Sequence, residues 1–206
     1  MTIKKEGKLF ILSGPSGSGK STILREVLAQ MPEVYFSITD TTRGPRPGEV
    51  AGRDYHYISK EDFEQRRKAG DFLECACYVG NWYGTPRKPI EERLKAGIDV
   101  FLDIEVQGAQ QVKEKMPQAV TIFLFPPSME ILELRLRARD TDQEEKIIGR
   151  LKRAGEEFAR AMFYEYLVIN DKVDEAVDEV RSIIRAEHCK LESRRHLITT
   201  KGGQTS

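Results

Sequence analysis

The run Gly14-Pro15-Ser16-Gly17-Ser18-Gly19-Lys20-Ser21 leaves this chain few folds to choose from. It matches the pattern G-x-x-x-x-G-K-[ST], and it stands where that pattern has physical meaning. The apolar run Leu9-Phe10-Ile11-Leu12 precedes it, and a helical stretch from Ser21 to Met31, stopped by Pro32, follows. A short unbroken apolar run ending at glycine predicts a strand buried on both faces, hence a parallel sheet. The glycines let successive backbone N–H groups turn inward with no Cβ in the way, which makes an anion nest. The helix N-terminus adds the positive end of its dipole. Lys20 then reaches the outer phosphates, and the Ser21 hydroxyl is a hard ligand for Mg²⁺. Residues Gly14, Pro15, Ser16, Gly17, Ser18, Gly19, Lys20, Ser21 and Thr22 are the expected seat of a nucleoside triphosphate.

The rest of the chain repeats the strand-then-helix theme. Val100 to Ile104, Val120 to Phe125 and Tyr166 to Ile169 read as buried strands. Between them lie helical patterns at Pro86 to Ala96 with Thr85 as N-cap, Ala109 to Met116, and Met129 to Arg139 after Ser128. Strands alternating with helices predict an α/β fold, a parallel sheet with crossover helices on its faces. Residues 37–84 break the rhythm and read as an inserted mixed α+β subdomain: a Pro/Gly-rich stretch, a strand near Tyr55 to Ile58, a helix from Ser59 to Ala69, and a strand from Phe72 to Val79. Residues 135–160 form a charged helical segment, with Thr141 and Glu144 spaced as a capping box. An amphipathic helix from Val173 to about Arg195 completes the core, and 196–206 reads as a polar, frayed tail.

Charge and cysteine usage exclude several functions. The 33 basic and 33 acidic side chains cancel, so there is no basic excess of the kind that binds nucleic acid non-specifically. Any anion site must be built by local placement of Lys and Arg. Three cysteines in 206 residues, Cys75, Cys77 and Cys189, make no disulfide framework. No apolar run is long enough to span a bilayer, and the N-terminus has no signal-like segment. The expectation is a cytoplasmic protein with small-molecule ligands and no nucleic-acid or membrane partner; self-association into a homo-oligomer is compatible with it.

Two further segments carry candidate chemistry. Asp103-Ile104-Glu105 lies at the C-terminal end of a core strand, where open α/β sheets bind ligands. An acid there either holds Mg²⁺ or simply faces solvent. Arg43 and Arg46, in Thr41-Thr42-Arg43-Gly44-Pro45-Arg46-Pro47-Gly48-Glu49, suit a phosphate clamp, since guanidinium forks bind phosphate oxygens bidentately. Read on spacing alone, the same segment is equally a solvated charged turn.

The segments TTRGPRPGE, GRDYHY, FLE, NWYGT, LDIEVQGAQQV and VIND, in that order behind GPSGSGKST, resemble the guanylate kinase family over about Leu9 to Arg185. The resemblance implies a P-loop NTPase-type parallel sheet flanked by helices, with a GMP-binding subdomain at about 37–84, a lid at about 135–160, and a core made of the remainder. It implies phosphoryl transfer from Mg·ATP to GMP, and by extension dGMP. It places the GMP phosphate among Arg43, Arg46, Tyr55 and Tyr83, and guanine against Glu74, Thr85 and Thr39, with Glu49 and Glu105 on the same side. Asp103 falls on the magnesium side with Ser21. Lys20 and the lid arginines Arg135, Arg139 and Arg150 act on the transferring phosphates, and Asn170 lies on the adenine side. A carboxylate suits guanine, which offers it two donors where adenine offers a bare acceptor, and such a buried polar site discriminates by about 10⁴-fold or more.

Three positions depart from the family pattern: Thr39-Asp40, Glu105 in place of the more frequent Asp, and Trp82 before Tyr83. None removes a charge that the chemistry needs. Two rival readings stay open on the sequence. One is a kinase of the same fold with another phosphorylated acceptor, such as a ribose bisphosphate. The other is a non-catalytic binding module of this family, in which an eroded phosphate loop is the usual mark.

Overall fold

The computed structural model describes residues 6–78, 80–138 and 144–201. Leu9–Ser13 forms β1, buried along its whole length, and the glycine-rich loop leads from it into α1, Lys20–Gln30. Then come β2, Tyr35–Phe36, and the inserted region: β3, Asp40–Thr41; β4, His56–Tyr57; α2, Lys60–Ala69; β5, Phe72–Tyr78; and β6, Asn81–Pro86. The core resumes with α3, Arg87–Lys95; β7, Val100–Asp103; α4, Val106–Lys115; and β8, Val120–Phe125. The chain continues through α5, Met129–Arg137; α6, Glu144–Arg160; β9, Tyr166–Ile169; α7, Val173–Cys189; and α8, Leu191–Lys201.

The five core strands are all parallel, in the order β2-β7-β1-β8-β9. Alternation along β1 divides the interior in two. Phe10 and Leu12 point into a cluster with Ile23, Leu24 and Val27 of α1 and Val177, Val180 and Ile184 of α7. Leu9 and Ile11 point the other way, to Ile90 of α3 and to Ala109 and Val112 of α4. β1 and β7 end side by side, with Leu12 opposite Asp103. This register delivers the phosphate loop and the Asp103 carboxylate to one edge of the sheet.

The inserted region forms its own four-stranded sheet, order β4-β3-β6-β5, with β6 antiparallel to both neighbours. Its outer strand β5 is gripped by the core. Gln111 of α4 donates to the Cys75 carbonyl and accepts from the Cys75 N–H, both at 3.3 Å, while Lys115 donates to the Leu73 carbonyl at 2.6 Å. An edge strand that would otherwise offer its backbone to solvent is thereby held against α4. The lid has a separate small core: Leu132 and Leu136 of α5 against Ile147 and Ala154 of α6, with Leu151 and Phe158 alongside.

Several expectations are corrected. Thr85 does not cap α3; it lies within β6 opposite Glu74, and Pro86 stands at the cap position. A side chain committed to the sheet cannot also serve the helix. The helix expected from Val173 to about Arg195 is two helices. At Lys190 the backbone turns extended, and side chains of α8 serve the last carbonyls of α7: Ser193 donates to Glu187 and Arg194 to His188. The tail thought to fray from 196 is helical to Lys201. The capping-box residue Thr141 lies outside the described residues. Among the described residues no helix is long and apolar enough to cross a membrane.

Candidate active site

Each glycine of the loop answers a different steric demand. Gly14, Gly17 and Gly19 all have positive φ (151°, 94° and 95°), a region that side chains disfavour. A Cβ at Gly14 would lie 2.4 Å from the Leu124 carbonyl oxygen, one at Gly17 would lie 3.0 Å from Leu132 and Leu136, and one at Gly19 would lie 2.3 Å from the Asn170 amide. The Lys20 ammonium folds back over the loop, donating to the Gly14 carbonyl at 2.6 Å. Around this loop is a cavity of 260 Å³, lined also by Ser21, Thr22, Asp103, Glu105 and, from the lid, Arg150, Arg153 and Glu157. Arg150 reaches the loop itself, donating to the Ser16 hydroxyl at 3.3 Å.

A second cavity, 310 Å³, opens between the core and the inserted sheet. Thr39, Arg43, Arg46, Tyr55, Tyr83 and Glu74 line it. It shares Tyr78, Asp103 and Glu105 with the first, so the two adjoin. Arg43 stacks over the Tyr55 ring at 5.2 Å, and Tyr55 meets Tyr83 edge-on. Glu74, in the same lining, is only 5% exposed and accepts a hydrogen bond from the Thr85 hydroxyl at 2.6 Å. Burial pushes its carboxyl up to about 7, with the Thr85 bond and Lys115 pulling the other way.

Among the sequence-expected ligand contacts, Thr39, Arg43, Arg46, Tyr55, Glu74, Tyr83 and Glu105 line this second cavity. Glu49 and Thr85 stand behind the wall. Glu49 binds both terminal nitrogens of Arg43 (2.8 and 3.0 Å), accepts from the Arg46 N–H (2.8 Å), and takes the Tyr57 hydroxyl at 2.7 Å. The Arg43 bond, then the Arg46 N–H, holds its carboxyl down at about 2. These bonds make Glu49 the residue that holds the Arg43 guanidinium in place. Thr85 is 1% exposed, and its donor is spent on Glu74.

The loop side holds another expected ligand contact that is bonded within the protein. Asn170, expected against adenine, is 3% exposed beneath the loop, where its amide donates to the Ser18 carbonyl at 2.7 Å. It braces the loop from below. Arg135 donates to the backbone carbonyl of Asn170 at 2.9 Å. Arg139 lies outside the described residues. Ser18 is fully buried, so its contribution is backbone.

The guanylate kinase family model matches residues 6–187, which include both cavities and the lid. The chain belongs to the guanylate kinase family. The guanylate kinase of Oceanobacillus iheyensis is 53% identical over 190 residues, covering 92% of each chain. That of Gloeobacter violaceus is 52% identical over 180 residues, 87% of this chain and 88% of its own. The crystal structure of guanylate kinase from Anaplasma phagocytophilum matches with a TM-score of 0.74 at 34% identity, covering 91% of this chain and 89% of that one.

Four residues of this guanylate kinase site escaped the sequence reading. A Cβ at Gly108 would lie 2.8 Å from Glu74 Oε2, so the first turn of α4 must carry glycine for that carboxylate to fit. Tyr78 stands where the two cavities join. Arg153 and Glu157 repeat the helical spacing that begins at Arg150, and this was the available signal: positions i, i+3 and i+7 share one helix face.

Proposed function

We propose that this guanylate kinase seats ATP on residues 14–22 and GMP in the second cavity, and moves the γ-phosphoryl group onto a phosphate oxygen of GMP, giving GDP and ADP. The observation that carries the assignment of the base is Glu74: a buried carboxylate, fixed by the Thr85 hydroxyl, in the cavity that Arg43 and Arg46 also line. In that pose Oε2 and its partner oxygen accept from guanine N1–H and the 2-amino group. Arg43 and Arg46, with Tyr55 and Tyr83, take the monophosphate in the same cavity.

Phosphoryl transfer needs positioned cations more than covalent chemistry, because charge spreads over the equatorial oxygens of the moving group. Lys20 and Arg150 already flank the loop, and Arg135 approaches from α5. The lid helix closes over the cavity and withholds water, the competing acceptor.

The donor set also fits Mg²⁺. Asp103 is a carboxylate raised above its usual range by burial, with Lys20 as its cationic neighbour, and the Ser21 hydroxyl faces the same cavity. Among the described residues no group of three His, Cys, Asp or Glu side chains could hold a metal alone, which suits an ion that arrives already bound to phosphate oxygens. Ser21 and Asp103 would hold it, and when bound it would neutralise charge on the bridging phosphates.

An ADP-release assay with GMP, dGMP, AMP and UMP as acceptors tests the reading. GMP should be preferred, with dGMP next. Preference for AMP would overturn the role given to Glu74.

A further inference from the structure

Tyr78 occupies a place that neither substrate explains alone. Along β5, Glu74, Ala76 and Tyr78 alternate onto one face, and all three line the GMP cavity. Along α6, Arg150, Arg153 and Glu157 share one helix face, and all three line the ATP cavity. These two faces meet where the Arg153 guanidinium lies over the Tyr78 ring, 5.0 Å from its centroid. The same two residues line a crevice of 310 Å³, which Cys77, Glu105, Gln107, Glu156 and Arg160 also wall.

We infer that Tyr78 and Arg153 form a latch that couples occupancy of the GMP cavity to closure of the lid over ATP. Both are positioning residues. The inference rests on the functional reading above and deepens it.

The geometry sets out how the coupling works. β5 is one wall of the GMP site, through Glu74 and Ala76, so ordering that wall fixes the Tyr78 ring. A fixed ring offers its negative face to Arg153 in one place. Arg153 lies on the helix face that carries Arg150, so stabilising it stabilises the arginine that reaches the loop at Ser16. Linkage makes the effect mutual: a lid held shut by ATP presses Arg153 onto Tyr78 and steadies the GMP wall. A ring–guanidinium contact of this kind at a partly exposed site supports a coupling of about two- to fivefold. The rest of the substrate synergy would come from direct charge and from the lid's own core.

Titration calorimetry on the full chain measures it, as the ratio of the GMP dissociation constants without and with a saturating non-hydrolysable ATP analogue. The wild-type ratio should exceed one. Tyr78→Leu should lower it about two- to fivefold, and Arg153→Met should do the same. Tyr78→Phe, which keeps the ring, should retain it. The double variant Tyr78→Leu/Arg153→Met should lose no more than either single one, since both remove the same contact. Circular dichroism checks that each variant is folded, and Arg153→Met, at an exposed position, serves if the leucine variant is not. Additive losses in the double variant, or a Phe variant as impaired as the Leu variant, would overturn the latch. Wild-type turnover of GMP in the same preparations separates the two readings. If GMP is not phosphorylated, the functional assignment falls and the latch falls with it; if it is phosphorylated and Tyr78→Leu leaves the ratio unchanged, only the latch falls.

Discussion

Glu74→Gln should make the ligand-free protein more stable while damaging its use of GMP. The carboxyl is raised from its ordinary 4.5 to about 7, chiefly by burial. At 1.36 kcal/mol per tenfold change in proton affinity, that difference corresponds to about 3 kcal/mol. The sign follows from proton counting. Between 4.5 and 7 the folded state holds more protons at this group than the unfolded state, so stability falls as pH rises through that window. Above about 7 the buried group is ionised and the whole penalty is present; below about 4.5 it is absent.

Glutamine imitates the protonated form. Its carbonyl still accepts from Thr85, and its amide faces the open cavity in place of Oε2. Allowing for solvation of that open side, the variant should gain about 2 kcal/mol at pH 8, or ~4–8 °C in Tm for a domain of this size. At pH 5 the gain should shrink to about a quarter of that value, because the wild-type carboxyl is then largely protonated in the folded state. Thermal unfolding of both proteins at pH 5 and pH 8, without nucleotides, gives the answer. A variant no more stable than wild type at pH 8, or a gap independent of pH, would refute the claim that Glu74 is a strained buried carboxylate. A residue kept at such a cost to stability marks a functional site.

Three further outcomes follow from the same geometry. Because GMP binding needs Glu74 ionised, the KM for GMP should rise as pH falls below about 7, approaching tenfold per pH unit, while the KM for ATP stays level; steady-state kinetics from pH 5.5 to 8.5 would show it. Glu49→Gln should weaken GMP about tenfold by freeing Arg43, at the usual strength of a hydrogen bond to a charged group, with ATP affinity kept; a loss shared equally by both ligands would contradict the positioning role. Asn170→Ala should cost about 1–3 kcal/mol of stability by leaving the buried Ser18 carbonyl without its donor, and should raise the KM for ATP more than that for GMP, as measured by chemical denaturation and kinetics.

The parallel core was legible because its signals are strong and local. An unbroken apolar run before a glycine-rich loop has few other readings, and three of the other four core strands announce themselves by apolar runs of their own. The fifth, Tyr35–Phe36, is only two residues long and carries no periodicity to detect. The inserted sheet was half legible. β6 reads Asn81-Trp82-Tyr83-Gly84-Thr85-Pro86, and glycine and proline within a run argue against a strand. The reason for Gly84 is tertiary: a Cβ there would lie 2.9 Å from the Phe72 ring and 3.0 Å from the Phe63 ring.

In the site, the motifs named residues that line two adjoining cavities without dividing them into cavity walls and the residues that hold those walls. Glu49, Thr85 and Asn170 sit inside recognisable motifs, yet each bonds a neighbour within the protein: Arg43, Glu74 and the Ser18 carbonyl. Sequence spacing cannot separate a carboxylate that meets a ligand from one that aims the arginine that does. Both choices need the same residue type at nearly the same place, and only the count of satisfied lone pairs tells them apart.

The loop glycines show why a short motif can specify so much of a machine. Gly19 allows Asn170 to sit beneath the loop, and Asn170 is the residue whose carbonyl receives Arg135. Gly17 allows Leu132 and Leu136 of α5 to pack directly on the loop, and those two leucines are also the α5 half of the lid's small core. The nest that receives the phosphates is therefore in van der Waals contact with the hinge side of the lid that closes over them. A side chain at position 17 would do more than strain one positive φ: its Cβ would lie 3.0 Å from both leucines, so the α5 half of the lid core would have to give way by a few tenths of an ångström. The motif encodes the fit between loop and lid as much as the fit between loop and phosphate, which is why its glycines admit no common explanation from backbone freedom alone.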